Sequence, residues 1–182
     1  IHRALAGLPA GVELPSLRLC ISGGAPLPLE VLKQFHARFP KLPLIEGYGP
    51  TESSPVATVN PIHGTPKAGS VGLPIPGVEL SIRADDGGEL PVGTTGELCI
   101  RGPNVMRGYW NQPEDTALVL RDGWLYTGDI GHRDADGFYF ITDRKKDMLL
   151  VNGINVYPRE VEEVIHRFPG VKDAAVIGVP DA

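Results

Sequence analysis

Cysteine is scarce in this chain of 182 residues: Cys20 and Cys99 are the two, each inside an apolar alternating run, LRLCIS and GELCIRG. Thiols placed so read as small core residues in a reducing compartment, which sets aside a disulfide scaffold. No apolar run approaches the roughly 18 residues of a membrane span. The opening IHRALAGLPAGVELPSLRLC lacks the charged head, apolar block and small-residue cleavage pattern of a secretory leader. Excess positive charge is missing too. The 17 Lys and Arg stand against 22 Asp and Glu, a formal charge of -5, which argues against broad electrostatic binding to nucleic acid. These absences lead us to expect a cytoplasmic protein, with peripheral membrane association left open.

Two nucleotide-binding fingerprints are also absent. GxxxxGK occurs nowhere, and no GxGxxG lies between a strand and a helix. P-loop and Rossmann sites are therefore excluded from this segment, whereas nucleotide binding on another scaffold is not.

What is abundant is turn punctuation. Gly and Pro number 23 and 18 and are spread between short apolar runs, the pattern of many short strands joined by specific turns. LRLCISGGAP alternates and then breaks at Gly23 and Gly24, reading as a strand that ends in a tight loop. A helix should follow, with Pro28 in its first turn, an apolar stripe of Leu29, Leu32, Phe35 and Phe39, and Pro40 as its stop. LPLIEG is the next strand. Strand, helix, strand with so long a connection is the mark of a parallel αβ layer, whose ligands bind beyond the carboxyl ends of the strands.

From about Pro66 the pattern becomes VELSIR, GELCIRG, GWLYTGDI and GFYFITD, cut by DDGG, PVGTTG and DADG. That predicts a small antiparallel barrel or sheet. DADG lacks the third acid and closing glutamate of a calcium loop, so we read a hairpin turn. After DRKKD the chain restarts with MLLVNGINV and a helix opened by Pro158, with Val161, Val164, Ile165 and Phe168 as its buried face. VKDAAVIGVPDA then begins a strand. The expected class is α/β in an α+β piece: residues 1–65 end an αβ layer, 66–143 form the β-barrel part, 144–147 connect, and 148–182 begin a small α+β domain.

The polar half of LPLIEGYGPTESSP carries the chemistry. Gly47 and Gly49 allow close backbone approach, Tyr48 a flat face, Thr51 a hydroxyl, and Glu52 a carboxylate able to hold a hard cation. A nucleotide with magnesium would use all four, and a turn with exposed polar residues would also look so. Asp129 can accept from two ribose hydroxyls and Arg144 can donate to sugar or phosphate, although each alone is a routine surface feature. The basic run RKKD reads either as solvated charge or as a hinge.

Three stretches, EGYGPTESSP, GELCIRGPNVMRGYWNQPEDTA and GWLYTGDIGHRDADGFYFITDRKKDMLLVNGINVYPREVEEV, together resemble the adenylate-forming enzymes, most closely the fatty acyl-CoA synthetases. The resemblance covers nearly the whole chain, in that family's order and spacing. It implies that a carboxylic acid and ATP form an acyl adenylate with release of pyrophosphate, and that coenzyme A then displaces AMP. It also implies residue roles. Gly23, Gly24 and Ala25 would line the adenine slot, Glu46 its edge, and Tyr48 would stack on the base between Gly47 and Gly49. Thr51 would contact phosphate and Glu52 would hold Mg2+. Asp129 would bind the ribose, Ile141 would pack near the base and Arg144 would reach the ribose. Lys146 would be the hinge of a mobile C-terminal domain, and Val151, Asn152 and Gly153 would face the CoA channel. Ser53 to Ala57 and Lys67 to Gly72 would contribute to the acid pocket.

The same resemblance implies a Ser/Thr/Gly-rich phosphate loop before Ile1 and an adenylation lysine after Ala182. The chain is therefore expected to be a piece of a longer enzyme, without ligase activity by itself and able to self-associate through an uncovered sheet face. MLLVNGINVYPREVEE follows the acyl-CoA synthetase style rather than the KIRGxRIELGEIE style of carrier-loading adenylation domains. Aryl-CoA ligases and luciferase-like enzymes stay open, as does a non-catalytic nucleotide or acyl-adenylate binding module.

Overall fold

A computed structural model describes residues 14–25, 27–151, 153–168, 170–171 and 174–179. Strand β1 (Cys20–Ser22), helix α1 (Leu29–Arg38) and strand β2 (Leu44–Tyr48) form the first unit. β1 and β2 are parallel, with Cys20 opposite Leu44 and Ser22 opposite Glu46, as the strand, helix, strand spacing predicts. Both glycine-rich ends consequently open on one edge. Short strands β3 (Thr58–Val59) and β4 (Leu73–Pro74) extend this sheet in antiparallel sense, giving the order β1-β2-β3-β4.

The helix is where expected, but its buried stripe is rotated. Val31 and Phe35 are its buried residues, and Leu29 is 45% exposed. Residues four apart share a face, and the cluster of Cys20, Leu27, Val31, Phe35 and Leu44 sits on that face, flanked by Leu32, Phe39 and Leu42. Leu27, just before the helix, is buried in that cluster, whereas Leu29 is not part of it.

The second unit is antiparallel. It contains β5 (Glu79–Arg83), β6 (Gly96–Arg101), β7 (Leu120–Arg121), β8 (Trp124–Arg133) and β9 (Tyr139–Arg144). The sheet order is β5-β6-β8-β7, with β9 on the far half of β8. DADG is the β8–β9 hairpin turn, closed by bonds between Asp134 N and Phe138 O and between Gly137 N and Asp134 O. Strand alternation sorts the two faces. Leu80, Ile82, Leu98, Ile100 and Leu125 point to one cluster with Ala57, Val78 and Tyr139. On the other face Cys99 packs with Trp124 and Tyr126, under the guanidinium groups of Arg83, Arg101 and Arg121. Both cysteines are buried free thiols, and burial pushes that of Cys99 up to about 12.

One helix in this region escaped the strand pattern: α2 (Pro113–Val119), with Pro at its first turn and Glu114 and Asp115 beside it. Proline and acids at a helix start are the favourable arrangement, and they were legible in NQPEDTA. After β9 come the hairpin strands β10 (Leu149–Val151) and β11 (Ile154–Val156), then α3 (Pro158–Ile165). The apolar face expected of α3 is not buried: Val161, Val164 and Phe168 are 38%, 51% and 65% exposed. The helix instead turns Arg159 toward β9, where its N–H donates to Asp143 and its Nη1 to the Ile141 carbonyl. Residues 174–179 form no ladder, contrary to the strand expected there. The Val176 N–H is satisfied by Glu162 Oε1 at 2.8 Å rather than by a neighbouring strand.

Among the described residues a backbone bridge, Gly72 opposite Tyr139, stitches the two sheets together. Side chains reinforce it. Lys67 pairs with Asp134 and Asp136, while Asn60 donates to the Ser70 carbonyl and accepts from the Lys67 N–H.

Candidate functional site

The site lies where the parallel strand ends meet β8 and β9. Past Ile45 the β2 side chains stop being buried, because the strand leaves the cluster under α1 and enters a cleft of about 1030 Å³. Gly24, Ala25, Glu46, Gly47, Tyr48, Gly49, Thr51 and Glu52 line it from the first unit. Asp129, Ile141, Arg144 and Lys146 line it from the second. Gly24 and Lys146, 122 positions apart in sequence, are thus brought to one wall.

Its centre is a three-residue cluster. Asp129 and Arg144 are cross-strand partners on β8 and β9, and Arg144 Nε lies 3.3 Å from Asp129 Oδ1. Tyr48 reaches across from β2 and donates its hydroxyl to Asp129 Oδ2 at 2.5 Å. Asp129 is 6% exposed, and burial raises its pKa despite the lowering by Tyr48 and Arg144. The Tyr48 phenol is pushed strongly up, first by burial and then by the Asp129 charge, so it stays a donor. A carboxylate so held keeps lone pairs for further donors, and a diol supplies two.

Glu46 is half-buried beside the same wall. Burial raises its pKa, and the Leu27 N–H makes a long 3.4 Å bond to its Oε1. Thr51, Glu52 and Ser53 form a 3-10 turn that ends at Ser54 in the left-handed region. Gly49 precedes that turn where side chains do not fit: a Cβ there would come 2.2 Å from the Pro55 carbonyl oxygen. The Glu52 carboxylate accepts from the Tyr109 hydroxyl at 2.8 Å, and its backbone carbonyl from Met106 N–H at 2.7 Å.

Among the described residues no group of three His, Cys, Asp or Glu could enclose a metal ion. A single carboxylate is enough for a cation that takes one or two protein oxygens and completes its shell with water and phosphate, as magnesium does. Glu52 fits that demand.

Not every expected residue reaches the cleft. Gly23 is not in the lining, and an added Cβ there would meet the Gly47 carbonyl oxygen at 3.1 Å. Val151 and Gly153, expected at the CoA channel rather than at this wall, belong to the exposed β10–β11 hairpin, and Asn152 lies outside the described residues. Three contributors were not anticipated. Tyr109 holds Glu52, Asn104 Nδ2 pins the Ser53 and Val56 carbonyls at 2.9 Å each, and Arg159 joins α3 to the cleft. Tyr109 and Asn104 sit in GPNVMRGYWN, an irregular loop with no periodicity to reveal which side chains turn inward.

The architecture is that of adenylate-forming enzyme fragments. It superposes on the amide bond synthetase McbA from Marinactinospora thermotolerans with a TM-score of 0.89 and 42% identity, over 99% of this chain and 37% of that one. It also superposes on the anthranilate CoA ligase AuaEII, solved with anthranoyl-AMP, with a TM-score of 0.88 and 35% identity over 99% and 35% of the two chains. The family described as AMP-binding enzyme matches residues 2–110, and the chain belongs to that family. A long-chain-fatty-acid--CoA ligase of Bacillus subtilis (strain 168) is 47% identical over 171 residues, which are 93% of this chain and 30% of that protein. A feruloyl-CoA synthase of an Amycolatopsis species is 42% identical across all of this chain and 37% of its own length. The chain therefore spans about a third of the curated relatives it matches.

Proposed function

We propose that the protein carrying this chain is an AMP-forming acyl-CoA synthetase, converting a carboxylic acid, ATP and CoA to acyl-CoA, AMP and pyrophosphate. The observation that carries the reading is the Tyr48, Asp129, Arg144 cluster beside the glycine-rich strand ends. Gly24 and Ala25 border the adenine, Tyr48 gives it a flat face, and Asp129 with Arg144 takes the ribose. Thr51 meets phosphate. Glu52 holds Mg2+, which when bound would draw off the charge that develops on the phosphates. A relative solved with ATP, MatB from Rhodopseudomonas palustris, is 42% identical with a TM-score of 0.85 over 90% of this chain, and supports nucleotide binding at this wall.

A fatty acid is the acid we favour. The supporting relatives are ligases of that name, 49% identical in Yersinia pestis and 47% in Bacillus subtilis, against 42% for the feruloyl-CoA synthase. An aryl acid is the second reading. Lys146 serves as the hinge, and Val151, Asn152 and Gly153 face the CoA channel, in a cytoplasmic enzyme. No described helix is long and apolar enough to cross a membrane.

The test is ATP-pyrophosphate exchange by the full-length protein with a panel of fatty and aromatic acids. Exchange with fatty acids, lost in Asp129→Ala, is expected. Exchange with aromatic acids alone would select the second reading, and no exchange with any acid would overturn both. The 182-residue chain by itself is expected to yield no acyl-CoA.

A further inference from the structure

The stretch of β8 that presents Asp129 is held by two residues that the nucleotide reading does not use. Gly128 precedes Asp129 with φ +73°, a conformation glycine takes without strain. Its N–H donates to Glu97 Oε1 at 3.0 Å, and its carbonyl accepts from the Lys145 N–H at 2.8 Å. The other oxygen of the same carboxylate, Oε2, accepts from Lys145 Nζ at 3.1 Å. One carboxylate on β6, its side chain 9% exposed, thereby closes a ring through Gly128 and Lys145.

Position gives the ring its consequence. Lys145 lies between Arg144, which faces Asp129, and Lys146, which lines the cleft. Both its backbone and its ammonium are tied to the antiparallel sheet, so Lys145 is not simply one more solvated cation of RKKD. We infer that Glu97 and Lys145 are positioning residues that fix Asp129 in register with residues 144–147, so that any pivot in this segment lies beyond Lys145. The inference rests on the nucleotide reading of Asp129 for its catalytic consequence, but the ring itself does not.

Lys145 has a second carboxylate, Asp85, at 2.7 Å, whose side chain is 89% exposed. An ion pair with so exposed a partner contributes little, whereas a buried carboxylate that loses its cation is left uncompensated. The two partners therefore separate a positioning role from a surface one.

The experiment uses the full-length protein with Lys145→Met, Glu97→Gln, their combination, Lys145→Arg, and Asp85→Asn as the control. Two readouts are taken: amide hydrogen exchange at Gly128 and Asp129 without nucleotide, and KM for ATP in pyrophosphate exchange. Lys145→Met and Glu97→Gln should each speed amide exchange and raise KM for ATP about tenfold, the size expected for one charge-assisted bond. The combination should be no worse than either alone, Lys145→Arg should recover most of the effect, and Asp85→Asn should leave both readouts unchanged. Lower thermal stability with unchanged amide exchange and KM would overturn the proposal, as would effects that multiply in the combination. If the wild-type protein performs no pyrophosphate exchange, the functional reading falls, and the amide exchange still decides the ring. Should Glu97→Gln fail to fold, Lys145→Met carries the test, because that side chain is 45% exposed.

Discussion

Asp129 shows how a single residue can oppose stability. Its raised pKa means that the folded protein binds the proton more tightly than the unfolded chain does. Stability from this group is fully present below the ordinary aspartate value and is lost as pH rises through the raised one. At neutral pH the charge is a cost. Asp129→Asn is therefore expected to raise Tm at pH 7, by an amount that shrinks as pH falls toward 4, while weakening binding of an acyl-AMP analogue at least tenfold. Thermal scans across pH and isothermal titration check the two halves, and equal analogue affinity in both proteins would remove Asp129 from the site. Glu52 is a half-buried carboxylate whose side chain accepts from the Tyr109 hydroxyl. Glu52→Ala should leave unfolding free energy within about 0.5 kcal/mol of wild type and raise the magnesium needed for half-maximal nucleotide binding.

At the scale of elements, α1 and the loop after β2 illustrate two ways of holding a strand end still. Phe35 on α1 is 0% exposed and packs against the back of β1 and β2. Phe35→Ala should cost about 3–5 kcal/mol in denaturant unfolding, whereas Leu29→Ser on the exposed side of the same helix should cost under about 0.5 kcal/mol. Gly49 works through absence of a side chain. Its closest approach is to backbone, the Pro55 carbonyl, and backbone cannot swing aside as a flexible side chain does. Gly49→Ala should therefore destabilise by about 1–3 kcal/mol and displace the Thr51–Ser53 turn, an outcome that weakened nucleotide binding would report.

For the molecule as a whole, the exposed side of β1 decides how it behaves alone. β1 pairs with β2 along one edge and has no strand partner on the other among the described residues, and Ile21 is 56% exposed. Such an edge is a template for a second chain. The isolated 182-residue protein should sediment as a concentration-dependent mixture, and Ile21→Lys should shift it toward monomer. A monomer independent of concentration would show that this edge is protected.

Much of this was written in the local pattern. LRLCISGG, the Phe35 helix and LPLIEG could only be parallel, because their connection is too long for a hairpin, and DADG or PVGTTG between alternating runs could only be turns in an antiparallel sheet. The polar half of LPLIEGYGPTESSP pointed to a site through Tyr48, Thr51 and Glu52 together, although an exposed polar turn fits the same residues. Periodicity failed where a partner chooses the face: α1 buries Val31 instead of Leu29, and α3 turns Arg159 inward and leaves Val161 exposed. Local sequence determined much of which residues form strands and turns, because those depend on neighbours a few positions away, although residues 174–179 form no strand. Only the tertiary structure set Tyr48 on Asp129 and Lys145 on Glu97, because those contacts are 81 and 48 positions apart and exist only once the sheets close.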